Sequence, residues 1–201
     1  MQTIVVASSN PGKLRELADL LRPLGIEAVP QSAFSVTEAD EPHATFIENA
    51  LAKARHASRA TGLPALADDS GICADALGGA PGVYSARYAG EPKSDARNNE
   101  KLVASLTGQK NRRAHYYCVI VLMRHADDPQ PVIAEGAWQG EIIDRPQGGG
   151  GFGYDPYFYL PELGKSAAEL DAAQKNAISH RGQAMAMLLE RLKSGHGNAG
   201  P

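Results

Sequence analysis

The sequence predicts an α/β fold with a mixed sheet, on three observations: a strand-turn-helix-strand opening, a continuous apolar run in mid-chain, and alternating runs after it. Thr3 to Ala7 is apolar and β-branched, as a central strand requires, and Ser8-Ser9-Asn10-Pro11-Gly12 supplies turn and cap signals. Leu14, Leu17, Leu21 and Leu24 recur three and four apart, which predicts an amphipathic helix ending at Gly25. Ile26 to Val29 makes the second strand. Thr45 to Ala60 reads as a helix with Phe46, Ile47, Ala50, Leu51, Ala54 and Ala57 on one apolar face, and Asn49 and Lys53 one turn apart on another. Leu63 to Ala67 reads as a short buried strand with two carboxylates at its C-terminal end. Leu77 to Gly90 is a Gly-, Ala- and Pro-rich loop whose length points to function. Ser94 to Leu106 predicts a helix, and Tyr116 to Met123 a strand buried on both faces. Pro131 to Trp138 and Gly140 to Arg145 read as antiparallel companions joined by a tight turn. A short helix near Ala167 to Leu170 and a long one from Ser179 close the chain, Met185, Leu188, Leu189 and Leu192 forming the buried stripe of the latter.

With 201 residues, 43% of them apolar, the chain suits one domain over residues 1–194. The tail 195–201 lacks helix formers and apolar periodicity and is expected to fray. A net charge of −3 produces no field that would attract nucleic acid. No run approaches membrane-spanning length, and the first residues enter a strand directly rather than a secretory segment. The two cysteines, Cys73 and Cys118, have no partners at metal-ligand spacing and read as core thiols, so a reduced, cytoplasmic compartment is expected. Trp138 and His115 read as structural residues of strands.

Asp68-Asp69-Ser70 concentrates two carboxylates and a hydroxyl after an apolar run. Such a group either invites a hard cation such as Mg2+ at the mouth of a sheet or caps a turn. Ser8 to Lys13 resembles a phosphate cradle, in which a turn delivers backbone N–H groups and a lysine to the positive end of a helix, and an ordinary capped helix explains it equally. It is not a Walker loop, because Ala7 and Leu14 stand where that motif needs glycine and a hydroxyl residue. Thr37-Glu-Ala-Asp-Glu41 offers a further carboxylate or a solvated acidic loop, and Lys53 a ligand or a surface lysine. Glycine at five of the six positions 148 to 153 sacrifices backbone entropy, which indicates close approach to a ligand or an unusual backbone path. Phe152 is suited to stacking on a base, and Asp155 to accepting from a ring N–H. Lys175, His180 and Arg181 gather donors around the start of the last helix.

Six blocks in order make these readings specific: Ser8-Ser-Asn-Pro-Gly-Lys13; Phe46-Ile-Glu-Asn-Ala50 with Lys53-Ala-Arg55; Ala67-Asp-Asp-Ser-Gly71; Leu77-Gly-Gly-Ala-Pro-Gly82 with Tyr84-Ser-Ala-Arg87; Gly151-Phe-Gly-Tyr-Asp-Pro156; and Ser179-His-Arg-Gly182. From residue 3 to about 192 the chain resembles the inosine triphosphate pyrophosphatase family, the bacterial dITP/XTP diphosphatases. The resemblance implies an elongated fold with a central curved mixed β-sheet, two lobes flanking an active-site cleft, and a homodimer. It also implies Mg2+-dependent hydrolysis of deaminated purine nucleoside triphosphates to monophosphate and pyrophosphate. Carried over by position, Ser8, Ser9, Asn10, Pro11, Gly12, Lys13 and Lys53 hold the triphosphate, and Glu41, Asp68 and Asp69 the metal, with Asp69 as catalytic base. Ser70, Phe152, Gly153, Tyr154, Asp155, Lys175, His180 and Arg181 are the remaining substrate contacts. Ser9 replaces a common glycine, and four glycines fill 148 to 151 where relatives often place a threonine second.

His180 or Arg181 would satisfy the oxygen at C6 of inosine and xanthosine and go unmatched by the amino group of adenosine. Maf-type pyrophosphatases share this kind of fold with other nucleotide preferences, and the blocks near 152 and 180 argue against them. A non-catalytic nucleotide sensor is disfavoured by the three acidic positions.

Overall fold

In a computed structural model, residues 2–8 and 10–194 are described; Ser9 and the predicted tail 195–201 lie outside them. The strands are β1 Gln2–Val6, β2 Ile26–Pro30, β3 Ala65–Ala74, β4 Arg113–Met123, β5 Val132–Ile142, β6 Phe158–Leu160 and β7 Lys165–Ser166. The helices are α1 Pro11–Leu21, α2 Phe46–Thr61, α3 Asp95–Ser105, α4 Ala172–Ile178 and α5 His180–Lys193. One seven-stranded sheet runs in the order β2-β1-β3-β4-β5-β6-β7. β1 is parallel to β2 and β3, whereas β5–β6 and β6–β7 are antiparallel, so the sheet is mixed as predicted.

The local signals explain most boundaries. Asn10 caps α1, Thr45 caps α2 and Ser94 caps α3, each side chain accepting from a first-turn amide. α1 stops at Leu21 rather than running to Leu24: Pro23 has no N–H to continue the α-helical ladder, and Arg22–Leu24 tightens into a 3-10 turn closed by Gly25 at φ 71°. The loop predicted for 77–90 contains a 3-10 segment, Gly82–Arg87. α4 was not anticipated, and its residues Ala-Ala-Gln-Lys-Asn-Ala-Ile bury nothing.

Two strands differ from expectation for physical reasons. β3 does not end at Ala67; it carries Asp68, Asp69 and Ser70 in its middle and continues to Ala74. The carboxylates are tolerated there because lysines meet them. Likewise, no tight turn separates Trp138 from Gly140, since β5 runs straight through. Glycine is needed at 140 for closeness: a Cβ there would stand 2.6 Å from both the Phe158 ring and the Tyr159 carbonyl oxygen. On α2, Ile47 is exposed and Asn49 is buried, the reverse of the predicted faces.

Two compact units divide the chain. The first comprises residues up to Asp69, Val119–Glu135 and the residues from Ala184; the second comprises Ser70–Cys118 and Gly136–Gln183. Within the first, Ile4, Val5, Val6, Leu66 and Val121 of the strands are buried, as are Leu17 and Leu21 of α1, Ala50, Ala54 and Ala57 of α2, and Leu188 of α5. The core of the second is built on Ile72, Leu102, Leu106, Tyr116, Trp138, Tyr154 and Phe158. Cys118 is buried and Cys73 half-buried, and neither is joined in a disulfide. Among the described residues no helix is long and apolar enough to cross a membrane.

At the turn after β4, Asp128 is buried and accepts from the Arg124 backbone N–H at 3.0 Å, from its Nε at 2.8 Å and from its Nη2 at 2.5 Å. The bond from the Arg124 side chain, above all, holds this carboxyl well below the usual carboxylate range. Stability from a depressed carboxyl is present above the ordinary value near about 4 and fades as pH falls through the folded value. Asp128→Asn is therefore expected to lower the melting temperature at pH 7, with the gap to wild type closing as the pH is taken below about 4. Thermal unfolding across pH checks it, and a pH-independent gap would contradict it.

Candidate active site

The strand register places the first cluster. Val6, the last residue of β1, is opposite Leu66 of β3, so β3 continues past the end of its neighbour and Asp68 stands two residues beyond it. There the chain leaves β1 through Ser8 and enters α1. β2 and β3 flank β1 on opposite sides, and in open α/β sheets such a reversal of strand order is where ligands bind.

Consecutive residues of a strand face opposite ways. Asp68 and Asp69 accordingly meet different lysines. Lys13 Nζ of α1 donates to Asp68 Oδ2 at 2.6 Å, and Asp68 is almost fully buried. Lys53 Nζ of α2 donates to Asp69 Oδ1 at 3.2 Å and to Glu41 Oε1 at 2.5 Å. Three carboxylates thus meet two ammonium groups. Burial above all pushes the Asp69 carboxyl up, Lys53 draws it down, and Glu41 and Asp68 add to the upward push, so that it stands above its ordinary value. Burial alone would lower the Lys53 ammonium; Asp69, Asp68 and Glu41 together outweigh it and hold Lys53 above its ordinary value, fully charged at neutral pH.

Asp69 Oδ2 is buried without a hydrogen-bond partner among the described residues. An unmatched buried carboxylate oxygen beside two further carboxylates suits a hard, oxygen-seeking cation. Among the described residues no three His, Cys, Asp or Glu side chains form a preassembled metal cage, which follows from the opposed directions of Asp68 and Asp69 and from Lys53 between Glu41 and Asp69. The carboxylates that would hold a cation are the ones the lysines hold here.

The loop before α2 is fixed by residues whose role the sequence did not reveal. Asn49 accepts from the His43 N–H at 3.1 Å and donates to the His43 carbonyl at 3.2 Å, closing a two-bond clasp. His56 Nε2 meets the Thr37 carbonyl at 3.0 Å. Glu41 is therefore carried to Lys53 on a segment tied to α2 at both ends. The signal was present as an asparagine one turn before Lys53 on a helix otherwise lined with alanine. At the start of α1, Asn10 Oδ1 accepts from the Gly12 and Lys13 amides at 2.9 and 3.2 Å, and Ser8 Oγ accepts from the Asn10 amide at 3.2 Å. The Gly12 and Lys13 amides are thus engaged by Asn10, as the Lys13 ammonium is by Asp68. Pro11 takes the first helical position.

The second unit holds the other predicted residues. Asp155 is buried; Oδ2 accepts from the Phe152 amide at 2.8 Å and from Lys175 Nζ, and Oδ1 accepts from the Tyr116 hydroxyl at 3.3 Å. The ammonium of Lys175 lies 4.7 Å from the centroid of Phe152, a residue 57% exposed and suited to stacking on a flat partner. The glycines serve the unusual path of the loop. A Cβ at Gly151, where φ is 72°, would lie 2.2 Å from Asp155 Oδ2, and one at Gly150 would lie 2.9 Å from the Ala168 carbonyl oxygen.

Gly153 is gripped from α3: its N–H donates to Asp95 Oδ2 at 2.8 Å and its carbonyl accepts from Asn99 Nδ2 at 2.7 Å. Tyr154 is buried, and its hydroxyl donates to the Ser85 carbonyl at 2.7 Å. Ser85 in turn accepts from the Ile72 amide at 2.9 Å. Ser70 is half-buried in β3. His180 and Arg181 are buried at the start of α5, where Ser179 Oγ accepts from the Gly182 amide at 3.2 Å. A Cβ on Gly182 would lie 1.8 Å from the Asn176 carbonyl oxygen, so this turn closes only with glycine. The His180 imidazole stacks on Tyr116, with centroids 4.7 Å apart and planes 8° apart. Asp95, Asn99, Ser85 and Tyr116 carried no local signal, because each acts on a residue far away in sequence.

Fold and cluster define a class: an α/β protein with lysine-paired carboxylates beyond the end of a parallel strand, suited to an anion and a hard cation. Residues 4–191 match the model of the Ham1 family, and the chain belongs to that family. A dITP/XTP pyrophosphatase of Ralstonia nicotianae is 68% identical over 196 residues, covering 96% of this chain and 98% of its own. One of Nitrosomonas europaea is 70% identical over 192 residues, covering 96% and 95%. Among solved structures, a HAM1 protein from Coxiella burnetii superposes with a TM-score of 0.94 at 51% identity, covering 96% of this chain and 100% of that one. The Ham1 protein of Staphylococcus aureus gives 0.90 at 40% identity, covering 96% and 100%.

Losing the clasp on His43 should be measurable. Asn49→Ala is expected to cost about 1–2 kcal/mol in urea unfolding and to speed proteolytic cutting within residues 37–43. An unchanged midpoint and cutting rate would show that the clasp contributes nothing.

Proposed function

We propose that this chain hydrolyses deaminated purine nucleoside triphosphates, dITP, ITP and XTP, to the nucleoside monophosphate and pyrophosphate, removing them from the nucleotide pool. The observation that carries the reading is the cluster of Lys13, Lys53, Glu41, Asp68 and Asp69, with one buried Asp69 oxygen left unmatched. The names of the relatives from Ralstonia nicotianae and Nitrosomonas europaea support it.

In this reading the Lys13 and Lys53 ammonium groups bind the triphosphate and stabilise the departing pyrophosphate, with the turn Ser8 to Gly12 shaping the approach. Mg2+, held by Glu41, Asp68 and Asp69, would neutralise charge on the phosphoryl oxygens. Asp69 positions the attacking water and accepts its proton as the oxygen bonds to the α-phosphorus and the bond to pyrophosphate breaks. Phe152 stacks on the purine beside the Lys175 ammonium. Ser70, Gly153, Tyr154 and Asp155 complete the base-binding set directly or by holding its loop. His180 and Arg181 donate to the C6 oxygen, which an adenine amino group cannot replace.

Asp69→Asn is expected to cut turnover on dITP at least about 100-fold at saturating Mg2+, read as monophosphate and pyrophosphate formed. Turnover near wild type would remove Asp69 from the mechanism. Stability should respond differently. A carboxyl raised in the folded state favours folding below its ordinary value and loses that contribution as pH rises through the folded value. Asp69→Asn should therefore melt no lower than wild type at pH 8, and wild type should gain on the variant as the pH is lowered.

Base selection has its own test. Arg181→Ala is expected to narrow the preference for dITP over dATP in a panel of nucleoside triphosphates, and an unchanged ratio would refute the role given to Arg181. We further propose a cytoplasmic homodimer. Two cysteines outside any disulfide support the compartment. Tyr84, 55% exposed beneath the Arg87 guanidinium, offers surface for a second copy. Light scattering on the purified chain should give twice the mass of one chain, and the mass of one chain alone would exclude the dimer.

A further inference from the structure

One side chain outside the predicted set touches two of its members. Tyr116, on β4, donates its hydroxyl to Asp155 Oδ1 at 3.3 Å, and its ring lies flat against the His180 imidazole. The phenol has no room to turn. Phe158 meets it edge-on, with centroids 4.7 Å apart and planes 64° apart, and Trp138 stacks behind at 6.4 Å and 23°. Phe158 is fully buried, and Trp138 and Tyr116 nearly so. Burial first, and then the neighbouring Asp155 charge, push the Tyr116 hydroxyl well above its ordinary value, so it remains a neutral donor.

We infer that Tyr116 is the positioning residue of base selection: its hydroxyl orients Asp155, and its ring sets the plane of the His180 imidazole. The inference rests on the base-binding roles proposed above for Asp155, Lys175 and His180. Discrimination by hydrogen bonds needs donors aimed in fixed directions, because a donor that can swing accommodates the wrong base. Asp155 passes its orientation on to the Phe152 amide and to Lys175 Nζ through Oδ2. A carboxylate anchored at one oxygen only can rotate and carry the Lys175 ammonium with it. The stack acts on the second donor independently, since an imidazole held flat against a fixed phenol presents its edge in one plane.

Tyr116→Phe removes the hydroxyl and keeps the ring. It is expected to raise KM for dITP about tenfold and to narrow the dITP:dATP ratio of kcat/KM by a similar factor, with kcat changed by less than about twofold. Tyr116→Leu removes the ring as well. It should compress the ratio further and shift the His180 ring-proton resonances downfield in the nucleotide-free protein, as the overlying ring current is lost. A purely structural tyrosine would behave otherwise, lowering the melting temperature and the active fraction while leaving KM and the base ratio unchanged. Unaltered KM and ratio in a folded Tyr116→Phe protein overturn the inference while the proposed function stands. A wild-type protein that does not prefer dITP to dATP overturns both. Because Phe preserves the packing, that variant decides the matter even where Leu does not fold.

Discussion

Everything in the first unit depends on compensating carboxylates buried inside a β-strand. Asp68 and Asp69 occupy positions of β3 that the neighbouring apolar residues would assign to core. An ionised carboxylate at such depth costs several kcal/mol unless a cation and hydrogen bonds meet it, roughly the whole margin by which a domain is stable. Lys13 and Lys53 supply the compensation, and each arrives on a different helix. The turn after β1, the cap on α1, the clasp on His43 and the length of α2 all have the effect of delivering one ammonium to one oxygen. The same lysines are what the fold offers to a phosphate chain, so the groups that make the strand possible are those proposed to bind substrate. One oxygen, Asp69 Oδ2, is left without a hydrogen bond among the described residues.

The second unit solves a different problem, the rigid presentation of a glycine-rich loop. Four glycines in succession would ordinarily leave residues 148–151 mobile. Here close packing and side-chain bonds replace intrinsic stiffness: Gly150 and Gly151 lie too near Ala168 and Asp155 to carry a Cβ, Asp95 and Asn99 hold both backbone groups of Gly153, and Asp155 ties back to Phe152. The outcome is one exposed aromatic ring on an otherwise anchored loop. Gly182 plays the matching part at the start of α5, where the approach of Asn176 excludes any side chain.

Much of this was legible from the sequence where the signal is local. Thr45 and Ser94 marked helix starts because caps act within one turn, and the six ordered blocks identified the family that residues 4–191 match. Legibility failed where the cause lies far along the chain. The bond from Lys13 to Asp68 spans 55 residues, so nothing near Asp68 explains why a strand accepts it, and β3 read as ending at Ala67. Gly140 read as a turn because glycine has two uses, and only the approach of Phe158 distinguishes them. Asn49 read as part of a polar face because its partner, the backbone of His43, has no side-chain signature. The proposed site residues were found by pattern, whereas the residues that hold them, Asp95, Asn99, Tyr116 and His56, required coordinates.

The tie between α2 and the segment before it has a consequence for how the protein breathes. The His43 amide is protected by a side chain of α2 rather than by a sheet ladder, and Glu41 is held by Lys53 one turn further along the same helix. Local opening of α2 would release clasp, carboxylate and ammonium together, as one cooperative unit of low contact order rather than as independent fluctuations. The Lys53 half of the first cluster is therefore gained or lost as one unit, whereas the Lys13–Asp68 pair, carried by α1 and β3, stands apart from it.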